Sequence, residues 1–216
     1  TIITMFSRIA IALVLVALIA VINAEEHCID KAFKARAVIA DPSKSFDDVQ
    51  VFYFDSSANK QRTDITILEP VQREVSLYFR YDLGKAYEYD KTTGQCQSFP
   101  LSGSLQPFCL AQDAKHTTDV TIGGSLKCEV WDENIQGFKI RLVIAPNSRF
   151  GVPVNIITRG GAHHTHVFQE WFDFQGFDRL PDQSVFNLPG ACQGKSRSLT
   201  NEPLPYTNQL SFLVKE

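Results

Sequence analysis

Alternation of apolar and polar residues at every second position is the feature of this sequence that most restricts its fold. The alternation is clearest in residues 74–81, 138–144 and 64–67. Side chains of a β-strand point to opposite faces in turn, so a period of two indicates a strand with one buried face and one wetter face. The sequence therefore predicts a protein built mainly of strands.

Turn-forming residues separate these alternating segments at a spacing of roughly ten residues, and no long helical pattern lies between them. The clearest turns are Asp55-Ser56-Ser57, Asp82-Leu83-Gly84, Thr92-Thr93-Gly94 and Gly123-Gly124. This order of signals predicts an antiparallel sheet. Short helices are expected only in residues 30–39 and 182–186.

The amino-terminal residues predict a cleavable secretion signal over residues 5–24. Met5 is the only methionine, so residues 1–4 are taken as upstream translated sequence or a remnant of expression. Arg8 precedes the uncharged apolar stretch 9–22, which is shorter than the roughly 20 residues that a membrane span needs. Ala24 is a suitable residue before the cut. The alternative is a signal anchor that stays in the membrane.

The rest of the chain is predicted to be one domain, residues 25–192, followed by a tail, residues 193–216. The alternating Leu210, Phe212 and Val214 in that tail predict a last strand. The net charge of −3 is scattered along the chain without a run of Lys and Arg. This composition disfavours nucleic acid as a partner.

All five cysteines follow the predicted signal, and the secretory route is oxidising, so we expect disulfides. An odd number leaves one cysteine unpaired or available to another chain. Spacing alone does not determine which cysteines pair.

No local catalytic motif is present: the nucleophile elbow, the HExxH zinc pattern, the CxxC motif and the P-loop are all missing from the sequence. We therefore expect no enzymatic activity. His163, His164 and His166 form the one cluster suited to metal binding. Their simpler interpretation is a surface loop. A metal site, or a hydrolase built from these histidines and distant carboxylates, is the alternative.

The chain carries 16 Phe, 6 Tyr and 2 Trp. Aromatic side chains on the inward faces of strands either fill a core or line an apolar cavity. Composition alone favours a plain core.

Two segments resemble the ependymin-related protein family. Residues 87–96, YEYDKTTGQC, are similar to a strand and turn of that family, and residues 182–192, DQSVFNLPGAC, to its ending. Weaker matches fall in the right order between Cys28 and Cys192, at residues 47–51, 123–124, 130–131 and 150–154. The chain departs from the family pattern at Gln183, where the family has proline, and at Val152, where it has a cysteine.

The resemblance implies a curved antiparallel sheet that forms a half-barrel around a deep apolar pocket, similar to bacterial lipoprotein-carrier proteins. It also implies a secreted or lysosomal location, homodimers and association with calcium. The leading hypothesis is a secreted, non-catalytic protein that holds a lipid or another hydrophobic ligand. The alternative is a calcium-associated matrix or cell-contact protein whose pocket is filled by side chains. The residues expected to line the interior are Phe79, Tyr87, Tyr89, Phe138, Ile140 and Leu142.

The resemblance also implies a disulfide between Cys96 and Cys192, which lie in the two best-matched segments. Cys109 and Cys128 are additional to the family pattern, and their pairing is the simplest expectation. Cys28 is then unpaired or intermolecular, because Val152 stands where the family supplies its partner. A bond from Cys28 to Cys109 or Cys128 is the alternative.

Overall fold

A computed structural model describes residues 28–42, 46–69, 72–135, 137–146, 151–160, 165–193 and 197–198. These residues form twelve strands, one four-residue helix and two 3-10 turns. The strands are β1 (Ala32–Asp41), β2 (Phe46–Asp55), β3 (Lys60–Glu69), β4 (Arg73–Arg80), β5 (Lys85–Asp90), β6 (Gln95–Pro100), β7 (Lys115–Ile122), β8 (Leu126–Ile135), β9 (Phe138–Pro146), β10 (Gly151–Gly160), β11 (Thr165–Phe177) and β12 (Arg197–Ser198).

All twelve strands belong to one curved sheet that does not close into a barrel. Its order is β12-β6-β5-β4-β3-β2-β1-β11-β10-β9-β8-β7. Strands β1 to β11 pair antiparallel, and only the two-residue β12 is parallel to its neighbour β6. This architecture confirms the predicted fold class.

The predicted alternation determines which side chains lie on each face of the sheet. In β4, Val75, Leu77 and Phe79 belong to the main hydrophobic core, whereas Tyr78 belongs to a separate cluster with Tyr87. We call the face that carries Leu77 the inner face, and the face that carries Tyr78 the outer face. The main core lies on the inner face, so the sheet curves around its own side chains.

The helix predicted in residues 30–39 is wrong, because most of this segment is strand β1. Alanine, lysine and arginine favour helices, but the period-two pattern of Phe33, Ala35, Ala37 and Ile39 places these residues on the inner face. β1 lies between β2 and β11 and pairs with both. Tertiary pairing at the centre of the sheet therefore overrides the local helix preference.

The short helix predicted at residues 182–186 is confirmed as a 3-10 turn, Gln183–Phe186. The Asp182 carboxylate accepts a hydrogen bond from the Ser184 N–H at its start. Helix α1 (Gly190–Gln193) follows, and Cys192 packs with Tyr78 and Tyr87. This carboxy-terminal segment thus covers part of the outer face.

The disulfides agree with the sequence expectation at one pair and correct it at the other. Cys96 and Cys192 are bonded, as the resemblance implied. Cys109 is bonded to Cys28, so its expected pairing with Cys128 is wrong, and so is the expectation that Cys28 is unpaired or intermolecular. The alternative bond from Cys28 to Cys109 is confirmed. Cys128 is a buried free thiol. Its side chain lies on the outer face of β8, because it is three residues from Trp131, which packs against the inner core on the other face. Cys109 lies over the inner face, so the sheet separates these two cysteines.

The Gly123-Gly124 turn predicted from sequence joins β7 to β8. Both residues have positive φ angles, +59° and +78°, where residues with a Cβ atom are strained. Two adjacent glycines therefore suit this hairpin.

In the part of the chain that the structure describes, no helix has the length and apolar character needed to cross a bilayer. The predicted signal, residues 5–24, and the predicted last strand around Leu210, Phe212 and Val214 lie outside the described residues.

Peptide mapping of the unreduced protein should recover Cys28–Cys109 and Cys96–Cys192 as bridged pairs. Burial raises the pKa of the Cys128 thiol, and only its thiolate reacts readily. We expect iodoacetamide to label Cys128 at least a hundredfold more slowly in the native protein than in urea. A bridged Cys109–Cys128 peptide would contradict this arrangement.

Candidate functional site: an apolar cleft beneath the segment 101–114

The segment 101–114, which joins β6 to β7, crosses the inner face of the sheet. It forms no strand or helix of its own apart from one isolated bridge between Cys109 and Cys28. Leu105 is buried in the main core, and Leu101, Phe108 and Leu110 pack against that core. We call this segment the covering loop. Long loops without secondary structure in compact domains are often functional lids.

Several bonds fix the covering loop to the sheet. The Cys28–Cys109 disulfide is accompanied by a hydrogen bond of 2.7 Å from the Ile29 N–H to the Phe108 carbonyl. The Leu105 N–H donates to Asn59 Oδ1 at 3.1 Å. The Ala111 N–H donates to Glu133 Oε2 at 2.9 Å. The loop is therefore held at its middle and at both sides.

An apolar cleft lies between the covering loop and strands β1, β2, β10 and β11. Two aromatic stacks form much of its wall: Phe33 on Phe54, with ring centroids 4.9 Å apart, and Phe52 on Trp171, with ring centroids 4.8 Å apart. The full lining is Ile29, Phe33, Phe52, Phe54, Gln61, Gln106, Phe108, Ile156 and Trp171.

The cleft is nearly filled by these side chains. Its cavity volume is about 20 Å³, roughly enough for one water molecule. A lipid chain needs far more room. Access for such a ligand therefore requires the covering loop, or the aromatic side chains beneath it, to move.

Four of the six residues predicted to line the interior do lie in the inner core. Phe79, Ile140 and Leu142 are buried there, and Phe138 packs against them. None of the six contributes to the cleft lining.

For Tyr87 and Tyr89 the predicted placement is wrong, because both lie on the outer face. Ala86 is the residue opposite Phe79 in the β4–β5 ladder, and Tyr87 is opposite Tyr78. Opposed residues share a face, so Tyr87 packs near Cys192 on the outside. When the pairing of two strands is misjudged by one residue, every side chain of one strand is assigned to the wrong face.

Sequence reasoning missed Phe33, Phe52, Phe54 and Trp171, which build the cleft. The available signal for Phe33 was that it shares the period-two phase of Ala35 and Ala37. The helix prediction for this segment obscured that signal. Phe52 and Phe54 lie in a stretch that is apolar on both faces, where alternation does not identify the inner side.

The inner face also carries buried polar groups. The Asp48 carboxylate is fully buried, and the Gln50 amide Nε2 donates to both of its oxygens, at 3.2 Å and 3.0 Å. Burial raises the pKa of Asp48 to about 7, against the lowering effect of the Gln50 hydrogen bond and with a further small rise from Asp47. Asp48 thus remains partly protonated near neutral pH.

A second polar group of the inner face is Arg73 with Glu88 and Asp90, at 3.3 Å and 2.9 Å. Burial raises the pKa of Glu88, although Arg73 opposes the rise. Burial also acts to raise the pKa of Asp90. The N–H groups of Thr93 and Thr92 and the Arg73 guanidinium outweigh it, and together they hold the pKa of Asp90 below the usual value. Arg73 is therefore already engaged by two carboxylates.

The predicted histidine cluster is only partly visible, since His163 and His164 lie outside the described residues. His166 is half-buried on the outer face, where its Nε2 accepts a hydrogen bond of 3.2 Å from Arg159 Nε. Within the described ranges, no three His, Cys, Asp or Glu side chains come together as a metal site.

Protein donors already surround one buried carboxylate, that of Asp55. It accepts hydrogen bonds from Ser57, from the N–H groups of Ala58 and Leu180, and from Gln183.

A larger cleft of about 300 Å³ lies along β8, β9 and β10. Its wall includes the ion pair between Arg141 and Asp132, at 2.7 Å, together with Lys139 and Arg159. This cleft is open and charged, so it does not suit an apolar ligand.

Comparison with known proteins identifies the family. The family model described as Ependymin matches residues 69–192. The chain belongs to the ependymin family. The match includes both segments that carry the sequence resemblance, and it includes Phe108, Ile156 and Trp171 of the cleft. Phe33, Phe52 and Phe54 precede it.

Among the solved structures, one supports the fold with a TM-score above 0.5. An uncharacterized conserved protein from Thermus thermophilus is similar with a TM-score of 0.53 and 12% identity, over 80% of this chain and 91% of that chain. The MucA/MucB complex of Pseudomonas aeruginosa matches at 0.44 and 11%, over 75% and 57%. A domain described as a putative outer membrane lipoprotein-sorting protein from Vibrio parahaemolyticus matches at 0.37 and 8%, over 72% and 88%. Among curated protein sequences, none matches this ependymin-family chain significantly.

The buried Asp48 should make the stability of the protein depend on pH. Its pKa in the folded protein is about 7, against an ordinary value of 3.8, so the folded state binds more protons than the unfolded state between these values. The free energy of unfolding should therefore fall as the pH rises from about 4 to about 7, by on the order of 4 kcal/mol. Asp48→Asn should remove this component, as measured by urea unfolding at several pH values.

The exposed Asp113 provides the matched control for that experiment. Asp113→Asn should leave the pH dependence of wild type unchanged. A variant with Asn at position 48 that retains the full wild-type slope would contradict the assignment of the slope to Asp48.

Proposed function

We propose that this ependymin-family protein is a secreted, non-catalytic carrier that holds a lipid or another hydrophobic ligand in the cleft on the inner face of its sheet. The observation that carries the proposal is the aromatic wall of Phe33, Phe52, Phe54 and Trp171 beneath a loop that is not part of the sheet. Because this loop pairs with no strand of the sheet, it can leave the inner face without breaking the ladder of strands, as the entry of a ligand requires.

The proposed mechanism is displacement of the covering loop by the ligand. Leu105 and Phe108 leave the inner face, and the alkyl chain takes their place against the two aromatic stacks. Each methylene group removed from water contributes about 0.8 kcal/mol. The disulfide at Cys109 keeps the displaced loop close to the cleft, so it can cover the bound chain.

The proposed location is extracellular, or the lumen of a lysosome. The predicted signal, residues 5–24, supports entry into the secretory route. The two disulfides support an oxidising environment.

Fluorescence quenching tests the carrier directly, because Trp171 lies in the cleft wall and Trp131 does not. In a Trp131→Phe variant, 2-bromododecan-1-ol, whose bromine is next to the hydroxyl end of the chain, should quench the remaining Trp171 fluorescence to a saturating level. Brominated chains quench at contact distance, so a Trp171→Phe variant, which retains Trp131, should show much weaker quenching.

Absence of saturable quenching in the Trp131→Phe variant would reject the carrier. Equal quenching of both variants would place the ligand elsewhere on the protein.

A second candidate is the matrix or cell-contact protein that acts as a dimer with its interior filled by side chains. Two observations favour it: the small cavity of about 20 Å³, and the fully exposed edge strand β7. Val120, Ile122 and Leu126 are exposed at the hairpin of β7 and β8. Exposed edge strands pair readily with another chain. Association with calcium rests on the family resemblance alone.

Under this second candidate, sedimentation velocity should show a dimer at micromolar concentration, and Ile122→Lys should dissociate it by placing a charge in the shared surface. Thr121→Lys is the matched control, since the neighbouring side chain points to the other face of β7. A protein that remains monomeric at all concentrations would contradict dimerisation through this edge.

A further inference from the structure

Within the residues that the structure describes, four buried side chains of the inner face each hold a polar atom without a hydrogen-bond partner. These atoms are Gln50 Oε1, Gln169 Nε2, Trp171 Nε1 and Thr158 Oγ1. Each of the four side chains is more than nine-tenths buried. Leaving one such group unsatisfied costs about 1–3 kcal/mol, so a cluster of them calls for a bound polar group.

The register of the sheet places the four side chains next to one another. Gln50 of β2 and Trp171 of β11 are both opposite Ala37 of β1, on its two sides. The short side chain of Ala37 leaves the space above β1 to these two longer ones. Gln169 is two residues from Trp171 on the same face of β11, and Thr158 is opposite the neighbouring Val167.

The cluster adjoins the apolar cleft, because Trp171 belongs to both. Ile156, another residue of the cleft lining, is opposite Gln169 in the β10–β11 ladder. A chain lying in the cleft against Phe52 and Trp171 thus ends beside the unpaired polar atoms.

The hydrogen-bonding character of the cluster is defined by Asp48. Because the Gln50 amide nitrogen donates to both Asp48 oxygens, its Oε1 remains as an acceptor. The Trp171 indole N–H and the Gln169 amide are donors. The cluster therefore offers one acceptor on β2 and two donors on β11, across β1 from it. A hydroxyl group, which both donates and accepts, matches this set.

The charges on the inner face argue against an ionised ligand. Asp48, Glu88, Asp90 and Glu133 are buried on it. Among the described residues, Arg73 is a cation that contacts these carboxylates, and it pairs with Glu88 and Asp90. A carboxylate ligand would be desolvated among like charges, and the Arg73 guanidinium is already engaged by two of them.

We propose, on the basis of the carrier function above, that the cleft binds an uncharged hydroxyl-terminated lipid, such as a long-chain alcohol, with its O–H donating to Gln50 Oε1 and its oxygen accepting from Trp171 Nε1 and Gln169 Nε2. The alkyl chain lies on the aromatic wall, and the hydroxyl gives specificity.

The test compares 1-decanol, decyl methyl ether and decanoate at pH 8 by isothermal titration calorimetry on the full-length secreted protein. The ether keeps the accepting oxygen but lacks the O–H donor. Wild type should bind the alcohol at least tenfold more tightly than the ether, and more tightly than decanoate. Gln50→Leu should bring the alcohol-to-ether ratio close to one, since the acceptor is gone.

Gln175→Leu is the matched control. Gln175 lies on β11 like Gln169 and Trp171, but it is exposed and does not line the cleft, so the wild-type preference for the alcohol should persist in this variant. If Gln50→Leu does not fold, Trp171→Phe keeps an aromatic ring and removes the indole N–H. It should weaken alcohol and ether by similar factors, because both ligands accept from that donor.

The outcomes separate the two proposals. Equal affinity of wild type for alcohol and ether, or tighter binding of decanoate, overturns the hydroxyl site and leaves the carrier standing. Failure of all three compounds to bind overturns the carrier and the hydroxyl site together.

Discussion

Covering the inner face of the sheet is the requirement on which the rest of this structure depends. A sheet ordinarily buries a face against helices or a second sheet. The described residues contain a single four-residue helix, and it packs with Tyr78 and Tyr87 on the outer face. The inner side chains must therefore pack against one another across the curve of the sheet. The covering loop supplies cover with Leu105 and Phe108.

This requirement also accounts for the position of the cleft. Ala35 and Ala37 are fully buried at the centre of the sheet, where a large side chain would fill the space above β1. The aromatic side chains of the neighbouring strands lean over these alanines, and Phe52 stacks on Trp171 from the far side. Small residues in the central strand and large residues beside it produce a groove along that strand. The groove is where the loop lies.

Much of this fold is predictable from the period of the sequence, and the reasons for the failures are physical. Alternation identifies β3, β4 and β9 because each has one dry face and one wet face. It fails for β1, because an Ala-, Lys- and Arg-rich segment satisfies both helix propensity and alternation, and only pairing with β2 and β11 decides between them. It also fails for Tyr87, because the phase of β5 depends on the turn before it. The 3-10 turn at Tyr81–Leu83 and Gly84 brings Ala86, rather than Tyr87, opposite Phe79.

The candidate site was harder to predict than the fold, since its residues are ordinary in sequence. Gln50 and Gln169 give no motif, and the cysteines that fix the covering loop are 81 residues apart. Only the three-dimensional register places Gln50 and Trp171 on the two sides of Ala37, with Gln169 two residues away from Trp171 on the same face of β11.

The same register explains how an interior can be both a core and a binding site. Apolar side chains at these three positions would remove the cost of the unpaired atoms and make the protein more stable. They would also remove the ability to distinguish one alkyl ligand from another. Apolar contacts discriminate weakly between chains of similar length, whereas a buried polar group that must be satisfied rejects ligands that leave it unpaired. An inner face that keeps one polar atom of each of Gln50, Gln169 and Trp171 without a partner under a tethered loop therefore gives up stability at the place where selectivity is needed.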